Sequence, residues 1–286
     1  MPYSDEQHCS CRKLKEQKLM NLKTVAKSLI PNRLLNWYRN QKTKHSQERI
    51  GQFRFNSDPT SDVKRDIQEK YEHNSELLDF FANNKGAVVH KWHHYIPLYD
   101  RYFSSFRGQK VRFLEIGVSN GGSLQMWRKY FGDDAIIFGI DINPNCEKLN
   151  GLAGQVRIGS QADHCFLESV VKEMGGIDII LDDGSHRMEH IPATFSYLFP
   201  HLSYGGIYMI EDLHTAYWRS FGGGYRSKTN FFGFAMDLID DMHHWYHRQE
   251  LKRAAISKDC SGIHIHDSIL VLEKNKVFKP VHSRVG

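Results

Sequence analysis

Two acidic clusters stand directly after apolar runs in the second half of the chain. The run 177–181 is followed by Asp-Asp-Gly-Ser-His at 182–186, and the run 206–210 by Glu-Asp-Leu-His at 211–214. Such runs are typical of buried strands, and open α/β sheets bind ligands beyond the carboxyl ends of their strands. Up to four carboxylates and two imidazoles in one crevice indicate a divalent cation and a general base. Alternatively, one aspartate of each cluster only caps the next helix.

A glycine-rich turn forms a second candidate site. In the segment 111–123 the glycines follow the order G-x-x-x-G-G after Glu115, which differs from the G-x-G-x-x-G of dinucleotide-binding dehydrogenases. Asp141 ends the next apolar run, where a carboxylate can bind two ribose hydroxyls. The combination favours an S-adenosylmethionine pocket over a nicotinamide pocket, although the glycines could serve only helix–strand packing. The candidate donor-binding residues here are Glu115, Gly117, Ser119, Gly121 and Asp141.

The elements that must position these groups alternate between strand-like and helix-like patterns after residue 108. Apolar runs predict strands at 111–116, 135–140, 155–158, 177–181 and 206–210. Helical patterns are found at 76–81, 90–106, 123–130, 163–174, 191–202 and 231–251. The alternation predicts a parallel sheet with helices on both faces. Residues 263–266 and 269–273 predict an antiparallel hairpin that closes the sheet.

The charge is distributed unevenly along the 286 residues. Residues 1–50 hold 11 Lys and Arg against 4 Asp and Glu, whereas the remainder holds 27 against 29. We expect a basic N-terminal extension with a helical appendage at 1–85 and a sheet domain at 86–286. A basic arm can contact nucleic acid, anionic lipid or an acidic protein face. No nucleic-acid-binding motif accompanies it, so a solvated tail is favoured and peripheral membrane contact is left open.

No apolar stretch approaches the about 18 residues of a membrane span. The first 18 residues are polar and lack the apolar core of a signal peptide. Of the five cysteines only Cys9 and Cys11 lie close together, which is a poor zinc signal. These features predict a cytoplasmic protein without a transmembrane segment. Apolar residues at near-helical spacing in 19–38, interrupted by Pro31, predict a broken amphipathic helix, and 39–62 reads as a linker.

From about residue 90 to residue 274 the sequence resembles the class I S-adenosylmethionine-dependent methyltransferases. Among them it is most similar to the metal-dependent sugar O-methyltransferases of macrolide tailoring, of the macrocin and mycinamicin type. The strings that carry the resemblance are LEIGVSNGGSLQMW, GIDINP, DDGSH, EDLHTAYW and IHIHDSILVLEK. The resemblance implies an α/β fold with a doubly wound, mostly parallel, Rossmann-like sheet of seven strands. It also implies bound S-adenosylmethionine and a divalent cation, usually Mg²⁺.

The resemblance implies roles for individual residues. The residues that match the metal ligands are Asp183, Glu211 and Asp212. His186 matches the proposed general base, and Asp141 would hold the ribose. The residues that would flank the adenosyl group are Gln161 and Asp182. The family often has Tyr where this chain has His266.

The chemistry of a sugar hydroxyl agrees with this assignment. Such a hydroxyl is too weakly acidic to attack a sulfonium methyl unaided, and coordination to a divalent cation lowers its pKa. An all-oxygen ligand set suits Mg²⁺ or Mn²⁺ better than zinc. His186 follows Asp183 by three residues on the same turn and can therefore face the same cavity and remove the proton.

Other aromatic and histidine residues have weaker signals. The candidate acceptor-lining residues are His94, Tyr95, His214 and Tyr217. The first two belong to an aromatic segment with Trp92 and His93 that could form a lid or simply pack on the core. The helically spaced His243, His244 and His247 lack an accompanying carboxylate motif, so we interpret them as surface or core residues.

We therefore expect an S-adenosylmethionine- and Mg²⁺-dependent O-methyltransferase. Its small-molecule or glycan acceptor would be a sugar hydroxyl of a glycosylated metabolite or polysaccharide precursor. One alternative is a methyltransferase acting on a catechol-like hydroxyl, and another is a catalytically inactive methyltransferase fold that serves as a binding subunit. We also expect a homo-oligomer, since an open pocket and many aromatic residues are compatible with subunits that close one another's sites.

Overall fold

The computed structural model describes residues 62–248 and 256–286. These residues lie in one compact unit, Pro59–Gly286. The basic arm, the broken amphipathic helix and nearly all of the linker lie outside the described residues and stay predictions, as do the oligomer and the membrane contact. Among the helices of the described ranges, none is long and apolar enough to cross a bilayer.

From residue 62 onward, three α-helices precede the sheet: α1 (Val63–Tyr71), α2 (Glu76–Ala82) and α3 (Tyr95–Phe103). The side chain of Ser75 accepts a hydrogen bond from the backbone N–H of Leu78 and so caps α2, which confirms the helix predicted at 76–81. The helix predicted from residue 90 begins only at Tyr95. Pro97 lacks an N–H and clashes with the preceding turn, so it is tolerated only near a helix start.

Helices α1 and α2 are part of the core, although the segment 1–85 is predicted as an extension. Ile67, Leu77 and Leu78 are fully buried and pack with Phe103 and Trp127. The described end of that segment, from residue 62, therefore lies in the same compact unit as the sheet.

The sheet contains seven strands: β1 (Arg112–Ile116), β2 (Ile136–Asp141), β3 (Gln155–Ile158), β4 (Ile177–Asp182), β5 (Leu202–Ile210), β6 (Cys260–His266) and β7 (Ile269–Lys274). Most predicted strand ends agree with these bounds within one residue. Strand β5 begins four residues before the predicted 206, and β6 begins three before 263. The added part of β5 includes the exposed Tyr204, so no apolar run marks it.

Helices connect the strands: α4 (Gly122–Phe131), α5 (His164–Met174), α6 (His190–His201) and α7 (Phe231–Met242). The Asp163 side chain caps α5 by accepting from the N–H groups of Cys165 and Phe166, and Gly175 ends it in a left-handed conformation. Helix α7 is shorter than the predicted 231–251, since a 3₁₀ turn, His244–Tyr246, follows it.

The strand order is β3-β2-β1-β4-β5-β7-β6. Strands β1 to β5 pair in parallel, while β7 is antiparallel to both β5 and β6. The predicted doubly wound, mostly parallel seven-stranded sheet is thus confirmed. The chain winds outward in both directions from β1 and β4, and such a switch point is where open α/β sheets bind ligands. The ends of neighbouring strands are level, because Ile116 pairs with both Ile140 and Asp182.

Side chains of the strands alternate between two apolar layers. Phe113 and Ile179 pack with α1 to α4 on one face, whereas Leu114 and Ile180 pack with α5 to α7 on the other. Both faces are covered, which explains why the central strands read as continuous apolar runs. The residues of both predicted sites lie at the carboxyl edge of the sheet.

Candidate active site

The glycine turn after β1 packs directly against the first acidic cluster. Gly117 has φ +99°, and a Cβ there would overlap the carbonyl oxygen of Asp183. Only glycine combines this backbone conformation with so close an approach. The N–H of Asp183 donates to the carbonyl of Ile116 at 2.9 Å, which fixes the two loops side by side.

Asp141 lies at the mouth of the same turn. Its Oδ2 accepts from the N–H groups of Val118 and Ser119 at 3.0 and 2.9 Å, and its Oδ1 accepts from Asn143 at 2.8 Å. The carboxylate therefore shapes the turn and holds Ser119 at φ +49°. A carboxylate has about four acceptor positions, so capacity remains for a ligand hydroxyl.

Two adjoining cavities open at this edge and share Gly117, Asp141 and Gly184. The first, about 140 Å³, is mainly apolar and is also lined by Ile116, Ile140, Ile142, Gln161 and His190. The second, about 340 Å³, is polar and is also lined by Lys91, Ser119, Asp183, His186 and Asp212. The structure therefore brings the predicted donor and metal sites together as two halves of one crevice.

Three predicted donor-binding residues do not line these cavities but support them. Glu115 is buried and accepts from Ser123 Oγ at 2.8 Å and Trp127 Nε1 at 3.2 Å, which ties β1 to α4. Burial raises the pKa of Glu115 to about 7, although Lys91 opposes the shift. Gly121 precedes α4 with φ +76°. Asp182 is also buried, and burial raises its pKa to about 7.

Gln161 links Asp182 to the lining of the first cavity. Its amide nitrogen lies 3.2 Å from Asp182 Oδ1 and 3.1 Å from Thr194 Oγ1, and its oxygen accepts from the N–H of Ser185 at 2.7 Å. The loop after β3 is thereby joined to the loop after β4. Gln161 therefore lines the first cavity, while Asp182 is buried and contacts the Gln161 amide from outside the lining.

The second cavity ends at a cluster of Asp183, His186 and Asp212. One potential ligand atom from each residue lies within 4.8 Å of the other two. His186 Nε2 is 3.7 Å from Asp183 Oδ1 and 3.5 Å from Asp212 Oδ2. His186 and Asp212 have φ values of +52° and +55°, which are uncommon outside glycine and concentrate at functional sites.

Glu211, the third predicted metal ligand, occupies a different environment. Glu211 is only 1 % exposed. Its Oε1 accepts a hydrogen bond from the Tyr99 hydroxyl at 2.6 Å, and its Oε2 accepts one from Lys91 Nζ at 2.9 Å. Burial raises the pKa of Glu211, and the Lys91 ammonium and the Tyr99 hydroxyl oppose that shift. Glu211 is therefore not part of the three-residue cluster, although it adjoins it through Lys91.

Lys91 is a residue of the site that the sequence analysis missed. Its Nζ donates to Asp183 Oδ2 at 2.6 Å as well as to Glu211. Burial by itself would lower the pKa of Lys91, but the carboxylates around it, Asp183 first, raise it instead. The only signal in the sequence is a lysine within an otherwise aromatic and histidine-rich segment.

The donor set fits a hard divalent cation. Asp183 and Asp212 offer carboxylate oxygens, the ligands that Mg²⁺ prefers, and His186 stands beside them. The group combines the three carboxyl groups of Asp183, Glu211 and Asp212 with the single ammonium of Lys91, a formal charge of −2. One divalent ion would balance that formal charge.

Three of the four predicted acceptor residues surround Asp212. The Tyr95 hydroxyl donates to Asp212 Oδ1 at 2.9 Å, His214 Nδ1 lies 2.7 Å from Ser268 Oγ, and His94 Nε2 lies 3.2 Å from the carbonyl of Asp267. Burial lowers the pKa of both His94 and His214, which favours their neutral forms. The fourth residue is placed elsewhere, since Tyr217 is 47 % exposed and its ring packs on Phe232.

A row of rings leads from the surface to the cluster. Ring centroids are 5.6 Å apart for Trp92 and His214, 4.9 Å for His214 and Trp218, 5.9 Å for Trp218 and Phe221, and 6.3 Å for Phe221 and His186. We call these five residues the aromatic row. Successive rings at its outer end are nearly perpendicular, at 82° and 72°. Phe221 was not among the predicted residues.

No protein-family model matches the chain. Among curated proteins, mycinamicin VI 2''-O-methyltransferase of Micromonospora griseorubida is 35 % identical over 214 residues, which cover 71 % of this chain and 52 % of the relative. A tetracenomycin-type enzyme of Streptomyces olivaceus, 8-demethyl-8-(2-methoxy-alpha-L-rhamnosyl)-tetracenomycin-C 3'-O-methyltransferase, is 38 % identical over 65 % of this chain and 50 % of the relative. The chain thus spans about half the length of the curated relatives it matches.

The chain is also similar to solved structures of a methyltransferase from mycinamycin biosynthesis. The MycE methyltransferase from the mycinamycin biosynthetic pathway, in complex with Mg, SAH and mycinamycin VI, has a TM-score of 0.61 and 34 % identity. The match covers 71 % of this chain and 53 % of that one. A second structure of MycE with Mg and SAH has a TM-score of 0.58 and 30 % identity, and the match covers 76 % of this chain and 56 % of that one. The chain therefore has the class I methyltransferase fold, and it resembles the sugar O-methyltransferases of the mycinamicin and macrocin type.

Proposed function

We propose that this chain is an S-adenosylmethionine- and Mg²⁺-dependent O-methyltransferase that acts on a sugar hydroxyl. The observation that carries the proposal is the meeting of Asp183, His186 and Asp212 at one end of a crevice whose other end is the apolar cavity beside Asp141. A methyl donor and a coordinated hydroxyl could therefore lie next to each other. The curated relatives, which are named as sugar O-methyltransferases, support the same reading.

The apolar cavity suits the adenosyl half of the donor. Ile142 follows Asp141 and is 74 % exposed, so it offers an apolar surface on which an adenine ring could pack. The remaining acceptor position of the Asp141 carboxylate suits a ribose hydroxyl. Gly117 lets the Asp183 backbone approach closely, so the glycine turn and the loop after β4 meet where the two cavities adjoin.

The polar cavity suits the acceptor and its activation. Asp183 and Asp212 would hold Mg²⁺, and a bound divalent cation lowers the pKa of a hydroxyl. His186 would take the hydroxyl proton on Nε2, and the two aspartates at 3.7 and 3.5 Å would stabilise the resulting imidazolium. The oxygen then attacks the methyl carbon as the carbon–sulfur bond breaks. The products are a methyl ether, S-adenosylhomocysteine and a proton on His186.

The curated relatives favour a sugar over a catechol, since they are named as methyltransferases of glycosylated antibiotics. The aromatic row places ring surfaces next to Asp212, where a sugar could pack, because His214 Nδ1 lies 3.8 Å from Asp212 Oδ1. A binding subunit without activity is disfavoured, because the crevice retains a carboxylate pair and an adjacent imidazole.

The experiment is methyl transfer from labelled S-adenosylmethionine by the full chain, with Mg²⁺ or with a chelator, to a panel of deoxysugar glycosides and catechols. We expect Mg²⁺-dependent labelling of a glycoside, and labelling that is slower by about 10²- to 10⁴-fold in His186→Ala. Labelling of catechols alone would establish the first alternative. Tight donor binding without transfer to any acceptor would favour the binding subunit.

A further inference from the structure

A lysine ammonium lies inside the proposed metal site. The Lys91 side chain is 3 % exposed, and its Nζ is 2.6 Å from Asp183 Oδ2 and 2.9 Å from Glu211 Oε2. The Tyr99 ring centroid lies 5.7 Å from the ammonium. Removing one member of a buried ion pair leaves an uncompensated charge, so these contacts hold the side chain firmly.

The backbone that carries Lys91 is fixed as well. The N–H of Ala87 lies 3.3 Å from Gln125 Oε1 of α4. A Cβ at Gly122 would overlap the carbonyl oxygens of Ala87 and Val88, so this segment presses against the first turn of α4. The segment just before Lys91 is therefore fixed against α4.

Lys91 and a divalent ion must share ligands. Asp183 gives Oδ2 to Lys91, while its Oδ1 faces His186. Both oxygens of Glu211 are engaged, one by Tyr99 and one by Lys91. An ion at Asp183 and Asp212 would thus lie near the ammonium, and it could reach Glu211 only where Lys91 gives way. Like charges a few ångströms apart repel strongly even at an effective dielectric constant of about 20.

We propose that Lys91 is a tethered competitor of the divalent cation. It balances the buried carboxylates when no ion is bound, and its charge lowers the affinity of the site for the ion. This inference rests on the proposed function, since it concerns the same metal site. It assigns Lys91 a role in metal affinity that is separate from holding the ligands in position.

The test is Lys91→Met in the full chain, which keeps the length of the side chain and removes its charge. Titration calorimetry with Mg²⁺ and with Mn²⁺ should show binding at least about tenfold tighter than in the unaltered protein, because the repulsion is gone. In a chelator the variant should melt at a lower temperature, since Glu211 loses its counter-charge. Saturating Mg²⁺ should narrow that difference. Lys129→Met, an exposed change on α4, is the matched control and should alter neither the affinity for the divalent ion nor the melting temperature.

Should Lys91→Met fail to fold, Lys91→Gln removes the same charge while keeping a hydrogen-bond donor, and it should also bind Mg²⁺ more tightly. Unchanged or weaker affinity in a folded neutral variant would overturn the proposal and leave Lys91 as a residue that only positions Asp183. Failure of the proposed function is a different result. In that case neither the unaltered protein nor any Lys91 variant would bind a divalent ion, and both ideas would fall together.

Discussion

His186 Nε2 lies 3.5 Å from Asp212 Oδ2, and both residues hold left-handed backbone conformations. The Thr215 hydroxyl links their backbones, since its Oγ1 lies 2.6 Å from the carbonyl of Asp212 and 3.3 Å from that of His186. Two strained turns, after β4 and after β5, are therefore held together by one buried side chain. Strain of this kind persists only where the surrounding structure enforces it.

His186→Ala should slow methyl transfer by about 10²- to 10⁴-fold, the usual effect of losing a positioned general base. Mg²⁺ and donor affinities should stay nearly unchanged, since the carboxylates remain. Single-turnover kinetics together with calorimetry would measure both. His201→Ala, an exposed change at the end of α6 and outside both cavities, is a suitable comparison. Equal activity of His186→Ala and the unaltered protein would remove His186 from the mechanism.

Asp212→Asn should weaken Mg²⁺ binding by about tenfold or more, because a neutral amide oxygen replaces a charged ligand. Chelation should abolish methyl transfer, and Mg²⁺ or Mn²⁺ should restore it. Asp267→Asn makes the same charge change at an exposed position nearby and should have little effect. Full activity in protein shown to be free of metal by elemental analysis would exclude the metal site.

Asp141→Asn should weaken S-adenosylmethionine binding by about 1.5–3 kcal/mol, the range for hydrogen bonds to charged groups. Asp141→Ala should do more damage, because the N–H groups of Val118 and Ser119 lose their acceptor and the turn loosens. Calorimetric titration with the donor checks both, with the exposed Asp134→Asn as the control. An unaltered affinity in Asp141→Asn would show that the ribose binds elsewhere.

Trp218→Ala should raise the KM for the acceptor by about tenfold, which corresponds to the loss of partial burial of a large ring. Trp218 is 45 % exposed and belongs to the aromatic row, so kcat and donor affinity should change much less. Trp245, also partly exposed but in the 3₁₀ turn after α7, provides the control substitution to Ala. Steady-state kinetics at varied acceptor concentration would compare the two variants. Equal KM values for Trp218→Ala and Trp245→Ala would contradict an acceptor-binding role for the aromatic row.

The stability of the metal-free protein should fall as the pH rises from 5 to 7.5. The pKa of Glu115 is raised from 4.5 to about 7 by burial, so in this interval the folded protein keeps a proton that the unfolded chain has released. The free energy of unfolding then decreases by about 2 kcal/mol through this group alone. Glu115→Gln should remove that share of the decline. Parallel denaturant titrations of the two proteins at several pH values would measure this difference. An identical pH dependence of the free energy of unfolding in both proteins would disprove the raised pKa of Glu115.

The strands and the acidic clusters were accessible from sequence because they depend on local patterns. A strand buried on both faces appears as a continuous apolar run, so β1 to β4 were located nearly to the residue. Strand β5 was predicted too short, since its first half includes the exposed Tyr204. Helix α3 was predicted to start too early, because an aromatic pattern does not reveal how Pro97 restricts a helix start.

The sequence by itself determined which side chains reach the carboxyl edge of the sheet, since that follows from strand ends. Only the tertiary structure decided how those side chains divide their contacts. Lys91 meets Asp183 and Glu211 across 92 and 120 positions of sequence, and no local periodicity encodes such a pairing. The tertiary structure also decided that the Tyr217 ring packs on Phe232 and not against the cluster of Asp183, His186 and Asp212. Contacts between loops depend on the packing of every element beneath them, whereas the ends of strands depend mainly on their own residues.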